Sequence, residues 1–335
     1  MSADLCTRYM GLDLSSPLVA SASPMTGDLE MLRRLEEAGA AAVVLPSLFE
    51  EQIDHQEMAI HHLHEAVSEA HGEALSYFPD MEGYNAGPEG YLSLVRDARK
   101  ALRIPVIASL NGTSNAGWTR YARMMEEAGA SAIELNIYFV AGDPEATGAQ
   151  VEERYLDLVR AVRQTVKVPL AVKIGPYFSS LAHMARRLVE AGANGLVLFN
   201  RFLGPDIDPE TLEVRAELEL STRSEIRLPL RWMAILRGRV QASLAATSGA
   251  HDAIDVVKLL LAGADVVMMA STLLRNGPQA IGTIRNELRS WLDERDYVSV
   301  EQMKGSLSQQ HSPDPGAFER ANYMKALQSY ASRWQ

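Results

Sequence analysis

Four stretches of this chain repeat one pattern: EEAGAAAVVL at 36–45, EEAGASAIEL at 126–135, VEAGANGLVL at 189–198 and LLAGADVVMM at 260–269. In each, a helical run meets a glycine and then an apolar run. Gly39, Gly129, Gly192 and Gly263 suit the left-handed position that ends a helix. The apolar runs are continuous rather than alternating, as in strands of a parallel sheet buried on both faces. Helix, stop and buried strand, four times over, restrict the chain to a parallel α/β architecture.

A second echo falls between the first: IPVIASLNG at 104–112, VPLAVKIGP at 168–176 and RVQASLAATSG at 239–249. Pro105 and Pro169 open two of these strands, a position where proline is tolerated. With PLVASAS at 17–23, strands are expected near 17–23, 41–47, 105–111, 132–138, 169–175, 195–200, 240–246 and 265–271. Helical patterns fill the gaps, among them 28–38, 115–128, 150–165, 180–191, 251–262 and 278–293. The same alternation would allow a doubly wound open sheet. The complete count of eight units, with no GxGxxG after any strand, favours a TIM (β/α)8 barrel. Residues 1–296 then form one barrel domain. Two long segments, 48–90 and 201–229, follow strands and belong over the C-terminal mouth, where barrel active sites sit. Residues 297–335 read as a helical tail packed outside the barrel.

Composition narrows the function. A net charge of −11 argues against nucleic acid and against a polybasic membrane patch. The single cysteine, Cys6, permits no intrachain disulfide and no iron–sulfur cluster held by this chain alone. The opening MSADLCTRYMGLDL has no signal-peptide pattern, and no apolar run reaches spanning length, so the expected location is the cytoplasm.

The expected strand ends deliver a polar set to the mouth. The first gives Ala20, Ser21 and Ser23, and the second Pro46 and Ser47. The next four give Asn111, Asn136, Lys173 and Asn200. The last two give Thr247, Ser248 and Gly249, then Ser271 and Thr272. Each Asn taken alone reads as a turn or cap residue. A lysine inside PLAVKIG is harder to read as surface, because an unpaired ammonium in a buried strand is costly. A lysine and three asparagines ending four successive strands suit a flat ligand with polar edges. TSGAHDAIDVV (247–257) and ASTLLRNGP (270–278) each place small residues before a helix, a backbone cradle for phosphate at its usual place in this fold. Ordinary N-capping by Ser248 and Ser271 is the simpler alternative. HQEMAIHHLHEA (55–66) carries four histidines but no HExxH spacing, and reads as a solvated helix face rather than a metal site.

Together these residues resemble the dihydroorotate dehydrogenase family of FMN barrels, in particular its soluble class. The resemblance runs over about residues 5–305. It is carried by SSPLVASASP (15–24), NAGPEGY (85–91), PVIASLNG (105–112), AIELN (132–136), VPLAVKIGPYF (168–178), LFN (198–200), ATSGA (246–250) and ASTLL (270–274). It implies that Ala20 and Ser21 approach the flavin through backbone and that Ser47 lies beside the isoalloxazine. Asn111 and Asn136 would bond the flavin, and Lys173 would sit at its N1/O2 edge. Ser248, Gly249, Ser271 and Thr272 would hold the phosphate. Asn85, Asn136 and Asn200 would face a small-molecule substrate. It also implies a homodimer. STRSEIRLP (221–229) would correspond to a further flavin-contacting loop.

The departures are equally specific. The family has Thr-Lys-Ser at the second strand end; here Leu45-Pro46-Ser47 stands. Its base, a cysteine or serine after the fourth-strand asparagine, falls at Phe139. Arg201 follows the sixth-strand asparagine in place of serine. Oxidation of dihydroorotate needs a base to take one proton while hydride leaves for the flavin. Tyr138 is a neighbour, but a phenol is a poor base near neutrality, so no catalytic base is assigned. The expected function is an FMN-dependent oxidoreductase passing hydride between flavin and a small polar cyclic substrate, dihydroorotate by default. The alternative is a flavin-binding subunit of a redox complex, whose iron–sulfur relay would come from a partner protein. A third reading is a flavin-free lyase or isomerase using Lys173.

Overall fold

A computed structural model describes residues 2–49, 87–111, 115–138, 140–201, 204–216, 218–319, 323 and 326–328. The chain opens with two short antiparallel strands, β1 (Thr7–Tyr9) and β2 (Leu12–Leu14). Strands and helices then alternate: β3 (Leu18–Ala20), α1 (Leu29–Ala38), β4 (Ala42–Phe49), α2 (Gly87–Ala101), β5 (Val106–Asn111), α3 (Asn115–Glu127), β6 (Ala132–Asn136), α4 (Gly148–Thr165), β7 (Leu170–Ile174), α5 (Leu181–Glu190) and β8 (Gly195–Leu198). A hairpin, β9 (Pro205–Asp208) and β10 (Glu213–Ala216), precedes α6 (Arg227–Leu236), β11 (Ser243–Thr247), α7 (Ala253–Ala262), β12 (Val266–Met269), α8 (Ser271–Asn276), α9 (Ala280–Asp293) and α10 (Val300–Met303).

Eight of these strands close into a barrel in the order β3-β4-β5-β6-β7-β8-β11-β12. Parallel pairing of β12 with β3, Val267 opposite Leu18, joins the last strand to the first. The barrel, not the open sheet, is therefore the fold. The repeat glycines do what their place in the pattern requires. Gly39, Gly129, Gly192 and Gly263 have φ of 105°, 99°, 117° and 126°. At Gly39 the N–H donates to the Leu35 and Glu36 carbonyls, which ends α1 and turns the chain into β4.

The core has two shells. Leu32, Leu35, Val95, Trp118, Leu156 and Leu188 pack between strands and helices. Inside the barrel lie Val19, Ala42, Val44, Ile107, Ala132, Ala171, Val197, Ala245, Val266 and Met268. Tyr9, Met10 and Leu14 of the first hairpin join this inner cluster. They plug the N-terminal end: a Cβ on Gly195, the first residue of β8, would lie 2.8 Å from Met10 Cγ and 3.3 Å from the Tyr9 hydroxyl.

That lower end is tied by charge. Buried Asp265 accepts from the Leu244 N–H (2.8 Å) and pairs with Arg237 (2.9 Å) and Lys304 (2.9 Å). Of the tail, the described residues include the four-residue α10 and a 3-10 turn at Pro315–Phe318. After the four-residue α10 the chain follows α6 and α7 through backbone bonds, Gly305 N–H to Leu260 O, Leu307 N–H to Leu261 O and Gln309 N–H to Ala234 O. Among the described residues, no helix is long and apolar enough to cross a membrane.

Candidate active site

Alternate residues of a barrel strand point inward. On β6 these are Ala132, Glu134 and Asn136; on β7, Ala171 and Lys173; on β5, Ile107, Ser109 and Asn111. The lower members are apolar and belong to the inner core. The upper members are polar, so the barrel interior turns from hydrocarbon to hydrogen-bonding surface toward its C-terminal mouth.

Strand β4 joins this set by an irregularity. Val44 pairs with Ile107, but Ser47, not Pro46, pairs with Ser109. One extra residue is accommodated beside Pro46, whose missing N–H makes it a poor member of a regular ladder. Pro46 packs toward Gly27, and Ser47 is turned inward. Its hydroxyl bonds Ser109 Oγ at 2.8 Å and accepts from Asn136 Nδ2 at 3.2 Å. Asn200 Nδ2 donates to Asn136 Oδ1, and the Asn200 N–H to the Ile174 carbonyl at 2.7 Å. Four strands thus feed one ladder, Ser109–Ser47–Asn136–Asn200.

Above it opens a cavity of about 300 Å³, within the ~300–1,000 Å³ usual for small-molecule sites. Ser21, Ser47, Asn136, Lys173, Asn200, Ser248, Gly249 and Ser271 all line it. Three other expected residues do not line it. Ala20 is fully buried in β3 and Asn111 is buried at the end of β5. The Thr272 hydroxyl donates to the Ala250 carbonyl (2.7 Å) and meets His251 Nδ1 (3.2 Å), so only its backbone is free for a ligand role. Asn85, Phe139 and the histidine cluster 55–66 lie outside the described residues. Among the described residues, no group of three His, Cys, Asp or Glu side chains could hold a metal ion.

The two loops expected to cradle phosphate differ. Asp252 caps α7 and accepts from the Asp255 N–H at 3.0 Å. A carboxylate already fills that helix terminus. At α8 no side chain caps the helix, so its first N–H groups lack intrahelical partners. Neither Ser248 nor Ser271 acts as a helix cap: Ser248 sits in a turn with φ of 70°, followed by Gly249 at 78°, and Ser271 Oγ accepts from the Ser221 N–H at 2.9 Å. A Cβ on Gly249 would lie 2.2 Å from the Ile226 nitrogen, so the turn and the 221–226 segment close on each other.

By spacing that segment reads as part of the 201–229 insertion, and the family resemblance makes 221–229 a flavin-contacting loop. It forms one wall through Leu218, Glu219, Leu220 and Ser221, with Phe49, Phe199 and Arg201 beside it. Arg201 ties it down through Glu225, Nε to Oε1 at 3.1 Å. Burial alone would raise the Glu225 carboxyl; the Thr222 N–H and the Arg201 guanidinium outweigh it and hold the group below the usual carboxylate range. A depressed folded-state pKa stabilises above the unfolded value and is lost as pH falls through the folded one. Acidification through that range is therefore expected to loosen the wall, read as faster amide exchange at Ser221–Ile226. Arg201→Gln should move the transition to higher pH.

The strongest electrostatic feature lies below the cavity. Glu134 is 0% exposed, and neither carboxylate oxygen has a hydrogen-bond partner among the described residues. Its ion-pair partner is Lys173, Nζ to Oε1 at 3.6 Å, too long for a hydrogen bond. Burial pushes the Glu134 carboxyl up, and the lysine opposes that only in part. Sequence reading passed over Glu134, although a charged residue inside a buried strand is itself a signal.

The comparisons with known proteins agree with this geometry. The dihydroorotate dehydrogenase family model matches residues 80–292. The chain is 31% identical over 209 residues to the putative dihydroorotate dehydrogenase A (fumarate) of Aeropyrum pernix, covering 60% of this chain and 67% of that one. It is 24% identical over 310 residues to the dihydroorotate dehydrogenase B (NAD(+)), catalytic subunit, of Thermoplasma volcanium, covering 90% and 98%. The protein of that name from Methanothermobacter thermautotrophicus is 26% identical over 311 residues, covering 89% and 97%. With the closed barrel and a polar cavity at its C-terminal mouth, the chain belongs to the dihydroorotate dehydrogenase family, whose members are oxidoreductases acting on CH–CH donors.

Proposed function

We propose that the cavity holds FMN and that the chain oxidises a small polar cyclic donor, dihydroorotate by default, in cytoplasmic pyrimidine biosynthesis. One observation carries this reading. A single cavity combines the Lys173 ammonium, the Ser109–Ser47–Asn136–Asn200 ladder and the uncapped start of α8. These suit, respectively, an edge that gains negative charge, a polar ring edge and a phosphate. FMN, when bound, supplies the hydride acceptor.

The chain's own residues supply placement and charge. Lys173 puts a positive charge where electron density accumulates. Asn136 and Asn200, already bonded to each other, present amides to ring and substrate with little orientation left to fix. The Ser248–Gly249 turn and the first N–H groups of α8 hold the phosphate. No Cys or Ser stands at the family's base position, so proton removal does not follow the family's usual route here.

Asn136→Ala is expected to weaken FMN binding about tenfold, the equivalent of one hydrogen bond and a disrupted ladder, measured by fluorescence titration. The reading as a whole is tested by mixing the FMN-loaded protein anaerobically with dihydroorotate. Bleaching of the flavin absorbance supports the substrate. A yellow protein that dihydroorotate never bleaches rejects the substrate and leaves the cofactor. Any iron–sulfur relay for the electrons would have to come from a redox partner protein, since one cysteine holds no cluster. The homodimer follows from the family resemblance, and light scattering at twice the chain mass tests it.

A further inference from the structure

A carboxylate buried beneath a ligand cavity, with no hydrogen bond and one lysine beside it among the described residues, is an unfinished charge arrangement. Two charges in so dry a place are tolerated only as a pair. A hydrogen-bonded partner would have completed that pair, yet Lys173 stands 3.6 Å away with its side chain 11% exposed, in the cavity floor. The lysine therefore serves two neighbours, Glu134 below and whatever occupies the cavity above. If the occupant gains a negative charge, one ammonium faces two anions. Two anions sharing a buried site cannot both stay ionised cheaply, and the one in the drier place takes a proton.

Glu134 is that drier place. Among the described residues, the titratable groups that act on it are Lys173 from β7 and Tyr9 from β1. Burial, then the fields of Glu134 and Asp265, push the Tyr9 phenol well above its ordinary value. It remains protonated and does not compete for a proton. β5 contributes only the Ser109 hydroxyl, already bonded to Ser47.

We infer that Glu134 is the proton acceptor of the cavity: its carboxylate balances Lys173 while the ligand beside the lysine is uncharged, and it takes a proton when that ligand gains negative charge. This rests on the flavin occupancy proposed above. Two-electron reduction places one proton and a net negative charge on the flavin. The second proton, drawn from solvent through the cavity and across Lys173, neutralises Glu134. The electrons come from the donor, or in a test from an electrode or dithionite. Glu134 touches no reacting atom and is a positioning and charge-compensating residue.

The test is the pH dependence of the midpoint potential of the FMN-loaded protein across neutral pH. A two-electron couple shifts by about 30 mV per pH unit for each proton bound. Wild type is expected to show about 60 mV per pH unit and Glu134→Gln about 30. Equal slopes in the two proteins overturn the inference. Should Glu134→Gln not fold, reduced-minus-oxidised infrared difference spectra of wild type decide. A protonated-carboxyl band appearing on reduction supports the inference, and no such band overturns it. A protein that takes up no FMN fails earlier, and rejects the flavin reading instead.

Discussion

Replacing Lys173 with methionine will slow flavin reduction by about 10²–10³-fold, the scale of removing one preorganised group that stabilises developing charge. Methionine keeps the length and fills the space, so the loss is electrical. The variant also strands Glu134, fully buried, without its ion-pair partner. Breaking one half of a buried pair typically costs about 3–5 kcal/mol unless the remaining group neutralises. The double variant Lys173→Met/Glu134→Gln removes that penalty and separates the two effects. Its urea midpoint should return toward wild type while the reduction rate, measured by anaerobic stopped flow, stays low. Recovery of both together would mean that Lys173 acts only by holding the fold.

Asp265→Ala will destabilise the barrel by about 3–5 kcal/mol in urea unfolding, with ligand affinity of the folded fraction unchanged. Asp265 accepts from the Leu244 N–H and neutralises Arg237 and Lys304, whose side chains are 30% and 4% exposed. Alanine leaves the buried N–H without an acceptor and Lys304 with the exposed Glu301 carboxylate and the Thr7 hydroxyl as its remaining partners among the described residues. It also frees the tail from β12, since Lys304 lies between α10 and the Gly305–Gln309 stretch along α6 and α7. All of this sits at the plugged end of the barrel, opposite the cavity. A loss below about 1 kcal/mol would mean that Arg237 and Lys304 are as well served by water and Glu301.

The architecture was readable because its signals are local and repeated. A glycine stop followed by a continuous apolar run states both the helix end and the buried strand, and the eight strands lie where those runs do. Two helix starts escaped. The first residues of α2, GPEG, fall at the end of the 48–90 insertion, and those of α6, RLP, at the end of 201–229. Yet Pro is compatible with a first helical turn, whose N–H groups have no helical partner. The hairpin β9–β10 lies wholly inside the 201–229 segment, which reads as an insertion without internal strands.

The site was legible at strand ends, where side-chain type and position coincide. Ser21, Ser47, Asn136, Lys173, Asn200, Ser248, Gly249 and Ser271 converge on one cavity. Two features could not be read from spacing. Which side of β4 faces inward depends on a register shift beside Pro46, a tertiary fact. Which of two small-residue loops leaves a helix terminus uncapped depends on the N-cap residue: Asp252 caps one, and Ala270 has no side chain that could cap the other. Glu134 was visible in AIELN, but its meaning required Lys173 to be placed above it.

The central claim is that this cavity is a flavin site. The direct measurement is titration of the purified, FMN-stripped chain with FMN, followed by absorbance and flavin fluorescence. The account predicts saturation at one FMN per chain, with binding weakened by Asn136→Ala. A folded chain that binds no FMN, or one that binds it as well after Asn136→Ala and Lys173→Met as before, would contradict it.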